Sequence, residues 1–402
     1  MGEILFVGGV FPPDKKEEIL QNSIGGMQHA ADNLQWKLIE GIEGVTGKSV
    51  TILNQVFVGS YPKRYKKWYI PSYEFDHGNA SKGYNSGCLN VTGIKQLLMY
   101  PALKRSFDKL IKQRNDIEYV IFYSAQGKFS RLAKYIKKKH NLKIHMVIPD
   151  LPQFMSMQRK GVLFSYIKNR SKKLLESALP YIDTFTVLTK YIAQELKIDE
   201  SRYTVIEGIA GDDCGNAEST ETENKTIVYT GTLTAKYGVM DLVEAFMLTD
   251  NKDYRLVICG DGETRERIKA LAEEDKRIIY KGNVSQELAR EIQRNATVLV
   301  NPRKNNEEYT KFSFPSKLME YLLSGTPVVC YKLDGMPEEY DEYFNYVQGE
   351  GTKALADEIT RICELSEAER TYMGSAGKNF VCERKNKIYQ CGKIVKLIGI
   401  KE

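Results

Sequence analysis

The stretch FSFPSKLMEYLLSGTPVVC, residues 312–330, joins a helix to a strand with more polar chemistry than such a junction needs. Pro315 suits the first position of a helix, where its missing N–H leaves nothing unpaired. Ser313 is a candidate N-cap, and Gly325 is the expected residue just past the helix C-terminus. The pattern predicts a helix over 315–324, then the short buried strand of TPVVC. A helix N-terminus offers free amides and the positive end of a dipole, so it is an anion site. Ser316 and Lys317 stand at that end, where a phosphate can receive amide, hydroxyl and ammonium together. Glu320 follows one turn later on the Ser316 face. Its carboxylate repels phosphate but accepts hydrogen bonds from two vicinal hydroxyls. Phosphate beside a diol describes a nucleotide with its ribose. The plainer reading is a capped helix with a surface glutamate.

Outward from this stretch, short β-branched runs alternate with longer helical patterns. EILFVGGV reads as a first buried strand. It is followed by an amphipathic helix carrying Met27, Ala30, Leu34 and Leu38 at helical spacing. KSVTILNQV, EYVIFYS, KIHMVIP, TFTVLT and YTVIEG continue the series. The polar, acidic segment around GDDCGNAESTETENKT interrupts it and reads as a linker. A second series runs through TIVYTG, YRLVICGDGE, RIIYKGNV, ATVLVNPR and TPVVCYK. Strands alternating with helices predict parallel β/α layers. The expected fold is α/β, with two Rossmann-like doubly wound parallel-sheet domains facing across a cleft. The expected bounds are 1–210 for the first domain, 211–225 for the linker and 226–383 for the second domain. A C-terminal helix over 384–402 is free to pack back on the first domain.

Composition narrows the class. A chain of 402 residues with 42% hydrophobic and 27% charged residues fits a soluble two-domain protein. No apolar run approaches the roughly 18 residues of a membrane span. The first residues do not read as a signal peptide. Seven cysteines without a CxxC pair are expected to be reduced thiols of a cytoplasmic protein. Four histidines without an HExxH or Cys/His cluster argue against a metal site. The net charge of +6 hides an asymmetry: residues 1–211 hold 31 Lys+Arg and 19 Asp+Glu, and the remainder 27 and 33. A basic half at +12 beside an acidic half at −6 points the first toward an anionic partner or simply a solvated basic face.

Two further glycine turns follow strands in the second half. In YTGTLTAKYG, Gly231 allows close backbone approach to a ligand, with Lys236 adding charge beside it. In CGDGE, residues 259–263, the glycines fit a ligand turn or a steric turn equally well. With these residues in place, the second half resembles retaining glycosyltransferases of the GT-B fold, specifically the nucleotide-sugar-dependent family 4. The matching segments are YTGTL, KYG, LVEAF, VICGDGE, YKGNVS, VLVNPR and FPSKLMEYLLSGTPVV. The first half matches more loosely, through Gly25-Gly26, VIPDLP, VLTKYIAQEL and VIEGI.

The resemblance implies roles. Domain 1–210 binds the acceptor and domain 226–383 the nucleotide sugar. Gly231, Thr232 and Lys236 line the donor pyrophosphate. Val284 holds the base edge. Ser316, Lys317 and Leu318 present amides to phosphate, and Glu320 binds the ribose. Gly25 and Gly26 let the N-terminal loop close on the diphosphate and sugar. Asp150 stands at or beside the position that touches the transferred sugar. The implied catalytic residues are Asp150 and Lys236, with no metal and no cofactor beyond the substrate, a UDP-sugar by expectation.

Three departures stand out. Thr232 replaces a common arginine, which leaves Lys236 to carry the charge alone or with Arg303 or Lys317. Counting back eight positions from Glu320 reaches Phe312, where the family has a second glutamate. Pro149-Asp150 replaces His-Asp. His145 reads as a packing residue.

YPKRYKKWYIPS, residues 61–72, interleaves basic and aromatic side chains. That mixture suits an anionic membrane surface or a packed loop better than nucleic acid. The expected acceptor is a saccharide or a polyprenyl-diphosphate-linked saccharide of a bacterial surface-polysaccharide pathway. The expected location is cytoplasmic or peripheral on the inner face of the membrane. The competing readings are an enzyme like UDP-N-acetylglucosamine 2-epimerase and a non-catalytic nucleotide- or nucleic-acid-binding protein.

Overall fold

Parallel strands covered by helices on both faces must be apolar throughout, and the runs of both halves meet that demand. Ile4 to Gly8 and Val50 to Asn54 are buried without a break. The computed structural model describes residues 2–78, 81–154, 162–215 and 224–400. It divides into two compact units, Met1–Ile209 with Lys387–Glu402, and Ala210–Asn386.

The first unit contains β1 (Glu3–Gly8), β2 (Val50–Asn54), β3 (Tyr69–Ile70), β4 (Tyr73–His77) and β5 (Ser81–Asn85). It continues with β6 (Cys88–Leu89), β7 (Ile117–Tyr123), β8 (Lys143–Ile148), β9 (Thr184–Val187) and β10 (Tyr203–Val205). Eight of these form one sheet in the order β10-β9-β8-β7-β1-β2-β5-β4. It is parallel except where β4 returns against β5. β3 and β6 form a separate antiparallel pair. The chain leaves β1 toward β2 on one side and reaches β7 on the other. Their shared carboxyl edge is therefore the topological switch point, where such sheets bind ligands.

The second unit contains β11 (Lys225–Thr230), β12 (Tyr254–Cys259), β13 (Ile278–Gly282), β14 (Val298–Asn301), β15 (Val328–Cys330) and β16 (Asn345–Tyr346). All are parallel, in the order β13-β12-β11-β14-β15-β16, so the switch point lies between β11 and β14. Side chains alternate between two cores with period two. Ile227, Tyr229, Leu256, Ile258, Val298 and Val300 face one core. Val228, Val257, Cys259, Leu299, Val328 and Cys330 face the other.

The helix Lys387–Ile398 packs within the first unit, against the helix His29–Thr46. A Cβ on Gly41 would stand 2.5 Å from Cys391 Sγ, so the two helices approach too closely for a side chain there. Ile394 and Val395 enter the core formed by Ile39, Ile42 and Ile52.

One expectation is corrected. Cys214 and Cys382 are joined in a disulfide, with Cα atoms 5.9 Å apart. A separation of 168 residues leaves no local spacing from which to read such a pair. Cys88, Cys259, Cys330, Cys363 and Cys391 are free and buried.

Ile394→Ala deletes a fully buried side chain from the helix that closes the first core. It is expected to cost about 2–5 kcal/mol, read by chemical denaturation.

Candidate functional site

The helix predicted at the quoted stretch spans Ser316–Ser324, with Gly325 past its end at φ 80°. Pro315 occupies the cap position and no side chain caps the N-terminus. Ser313 is not the N-cap expected from the sequence. Its hydroxyl accepts from Arg303 Nη2 at 3.0 Å and donates to the Tyr309 carbonyl. The guanidinium of Arg303 outcompetes the helix amides for it. The amides of Ser316 and Lys317 are left for a ligand, as an anion site requires.

Two contacts fix this helix against the end of β11. Tyr321 is fully buried, and its hydroxyl accepts from Thr230 N at 2.8 Å and donates to Thr230 O at 3.1 Å. Gln293 Nε2 donates to Thr230 Oγ1 at 2.7 Å and to Glu320 Oε1 at 2.8 Å. Lys317 Nζ lies 2.9 Å from both oxygens of Glu320. The carboxylate assigned to ribose is thus already oriented by an amide and an ammonium. Gln293 and Tyr321 were missed by sequence reasoning. Tyr321 had a signal, since it sits on the apolar face of the helix next to Glu320. Gln293 had none.

The Gly231 turn follows β11. Gly231 N donates to Cys259 O and Leu233 N to Asp261 O, each at 3.0 Å. A Cβ on Gly260 would stand 1.8 Å from Gly231 O, and one on Gly262 would stand 2.2 Å from Leu233 O. The glycines of CGDGE therefore serve the neighbouring turn as a close-packed support. Glu263 Oε1 completes the support by accepting from Thr234 Oγ1 at 2.7 Å and Ala235 N at 3.2 Å. These bonds hold its carboxyl below the usual range. The supported turn carries Thr232 and Lys236, both exposed. It ends at Gly238, whose φ of 74° and contact with Pro302 O leave no room for a side chain.

Pro302 leads into Arg303, directly after β14 and across the switch point from Gly231. Arg303 is 8% exposed and its Nε has no partner. Its guanidinium lies 4.8 Å from the Tyr309 ring and 5.5 Å from the Tyr237 ring. Among the described residues no carboxylate stands within ion-pair reach of it. Val284, after β13, packs against the core that contains Leu318 and Met319. The second unit thus brings Gly231, Thr232, Lys236, Val284, Arg303, Ser316, Lys317, Leu318 and Glu320 to one sheet edge. Phe312, where a sugar-reading carboxylate would stand, is buried.

The first unit holds the other three residues. Gly25 has φ 82°, and nothing lies within 4 Å of a Cβ on it or on Gly26. The helix that follows them is tied to the turn after β1: Asp32 Oδ1 accepts from Phe11 N at 2.7 Å and Gln35 Oε1 from Gly9 N at 2.8 Å. Asp150 lies two residues past β8, at its carboxyl end. Its side chain reaches solvent, yet desolvation by surrounding protein pushes its carboxyl up to about 6. His145 is buried with each ring nitrogen 2.9 Å from a threonine hydroxyl, Thr184 or Thr186. Burial holds it neutral, down to about 3, as a packing residue.

Residues 216–380 match the family of glycosyl transferases group 1. No curated protein matches the sequence. The fold is similar to that of trehalose-6-phosphate synthase OtsA, with a TM-score of 0.67 at 11% identity over 100% of this chain and 99% of that one. Sucrose-phosphate synthase from Thermosynechococcus elongatus gives 0.65 at 15% identity over 99% of each chain. HepE of Anabaena, solved with UDP, gives 0.64 at 12% identity over 99% of each.

Tyr321→Phe strands the buried amide of Thr230. It should cost about 1–3 kcal/mol in denaturation and loosen the helix that carries Glu320, read as faster amide hydrogen exchange over Ser316–Ser324.

Residues 216–380 match the glycosyl transferases group 1 family, and the two-unit α/β fold is that of the GT-B structures it resembles.

Proposed function

We propose that this is a retaining family 4 enzyme that moves a sugar from a nucleotide sugar to a saccharide or a polyprenyl-diphosphate-linked saccharide in cell-surface polysaccharide synthesis. UDP is the expected carrier, a choice supported by HepE having been solved with UDP. The observation that carries the reading is Arg303, a buried guanidinium with no carboxylate partner at the switch point of the second sheet. A buried charge without a counter-charge is costly, so a site that keeps one is built for an anion. A donor diphosphate supplies that anion.

In this reading the diphosphate sits between the Gly231 turn and the helix Ser316–Ser324. Glu320 takes the ribose hydroxyls, exchanging its bond from Lys317 for bonds to the sugar. Negative charge grows on the departing phosphate as the glycosidic bond breaks. Arg303, Lys236 and the amides of Ser316 and Lys317 oppose that charge with fixed donors, the largest kind of catalytic contribution. The acceptor hydroxyl attacks on the face the phosphate leaves, and the phosphate takes its proton. Asp150 is assigned to the transferred sugar. No metal is assigned a step. The protein works at the membrane that carries its acceptor.

A screen of nucleotide sugars by hydrolysis and product analysis tests the class. It also separates transfer from 2-epimerisation, which changes the sugar without an acceptor. Arg303→Gln and Lys236→Ala should each lower turnover of the accepted donor by about 100-fold or more. Wild-type rates in both would remove the site assignment.

A second test is pH. A carboxyl raised to about 6 keeps its proton until the pH passes that value. If the carboxylate is the working form, kcat/KM falls as the pH drops through 6. Asp150→Asn should flatten that limb.

A further inference from the structure

We propose that the exposed face formed by the helices Lys95–Gln113 and Gly127–His140, with the segment 61–72, docks on an anionic phospholipid bilayer. The inference rests on the reading above that the acceptor is carried on a membrane lipid.

The helix Gly127–His140 presents Arg131, Lys134 and Lys138 at i, i+3 and i+7, on one face. They line an open groove of about 520 Å³ together with Tyr100 and Tyr135. The only side-chain partners these three cations have among the described residues are rings. Arg131 stacks 3.9 Å from the Tyr100 ring, and Lys134 and Lys138 lie 5.1 and 5.2 Å from the Tyr181 ring. Neighbouring Lys104 is different, being paired with Asp108 at 2.8 Å. Lys139 is 3.8 Å from the same carboxylate. Among the described residues, none lining the groove is acidic. Three cations held in register by rings, without counter-charges, fit a row of phosphate groups.

The groove runs into an apolar surface. Leu97, Tyr100 and Lys104 share one stripe of the helix Lys95–Gln113 by the same spacing. Leu97 is 66% exposed and Ile94, just before the helix, 47%. The segment 61–72 is bonded alongside. Thr92 N donates to Tyr61 O at 3.1 Å and Asn90 N to Trp68 O at 2.7 Å. Trp68 and Tyr69, 59% and 45% exposed, lie with their rings 5.9 Å apart and tilted by 43°. In contrast, Tyr65 of the same segment is buried. Lys63, Arg64, Lys66 and Lys67 flank the pair, and of these Lys67 is bound to Glu18.

An indole, a phenol and two branched aliphatics beside acid-free cations are what a lipid interface accepts. The rings sit at headgroup depth, the aliphatics reach acyl chains, and the cations take lipid phosphates. A nucleic acid would use the rings and cations but offers nothing to Leu97 or Ile94.

Vesicle co-sedimentation tests the proposal, using phosphatidylcholine alone and phosphatidylcholine with phosphatidylglycerol, at low and high salt. The full chain should bind the anionic vesicles at low salt. The triple variant R131E/K134E/K138E should lose affinity on the order of 100-fold. Leu97→Ser combined with Trp68→Ser should abolish the binding that survives high salt. UDP binding should be unchanged in both variants, which shows that they fold. UDP binding that fails while vesicle binding holds sinks the donor assignment and leaves the docking face standing. No binding of the wild type to anionic vesicles overturns the proposal, as does equal binding by the triple variant. Binding to a single-stranded oligonucleotide in preference to vesicles overturns it in favour of a nucleic-acid partner. Binding to inorganic pyrophosphate that displaces the vesicles reassigns the groove to a soluble phosphate and also overturns it.

Discussion

The carbonyl oxygen of Gly231 has so little space above it that only glycine can stand at position 260. Two consecutive strand ends are locked together there, backbone against backbone. The turn that follows β11 depends on that contact. It sets where the Thr232–Lys236 turn leaves the sheet, and through Gly238 and Pro302 it sets where Arg303 enters. The donor site is therefore positioned by main-chain packing first and by side chains second. Such a site keeps its shape when no ligand is present, which is what fixed-charge stabilisation of a leaving group requires.

The two helix-side contacts add to this frame in a different way. Tyr321 and Gln293 reach from separate helices to the same residue, Thr230, and leave Glu320 already hydrogen-bonded. Under the proposed function, a ribose arriving at that carboxylate exchanges one bond for another and gains orientation more than raw affinity. The position at which the resemblance puts a sugar-reading carboxylate is filled by Phe312, which is buried.

Much of the fold could be read from periodicity. Buried parallel strands are continuous apolar runs, and both series stood out in the sequence. The position of the helix Ser316–Ser324 could be read from Pro315 and Gly325. What escaped was long-range pairing. Ser313 looked like a cap because caps are local, but Arg303, ten residues earlier in the chain, holds its hydroxyl. CGDGE read equally as a ligand turn or a steric turn, because a glycine does not announce which neighbour it makes room for. Gln293 carries no pattern of its own and acquires a role only once β11 and its helix are brought together. The Cys214–Cys382 bond was invisible for the same reason.

That bond has a topological effect. Cys214 and Cys382 lie close to the two ends of the second unit, so the disulfide turns nearly the whole of that unit into a covalent ring. Closing a ring of 168 residues removes unfolded-state entropy worth about 5 kcal/mol in the chain-entropy account. A protease that cuts once inside the ring leaves the pieces attached. In a reducing compartment the ring opens, and the same unit becomes an ordinary linear segment with two free ends.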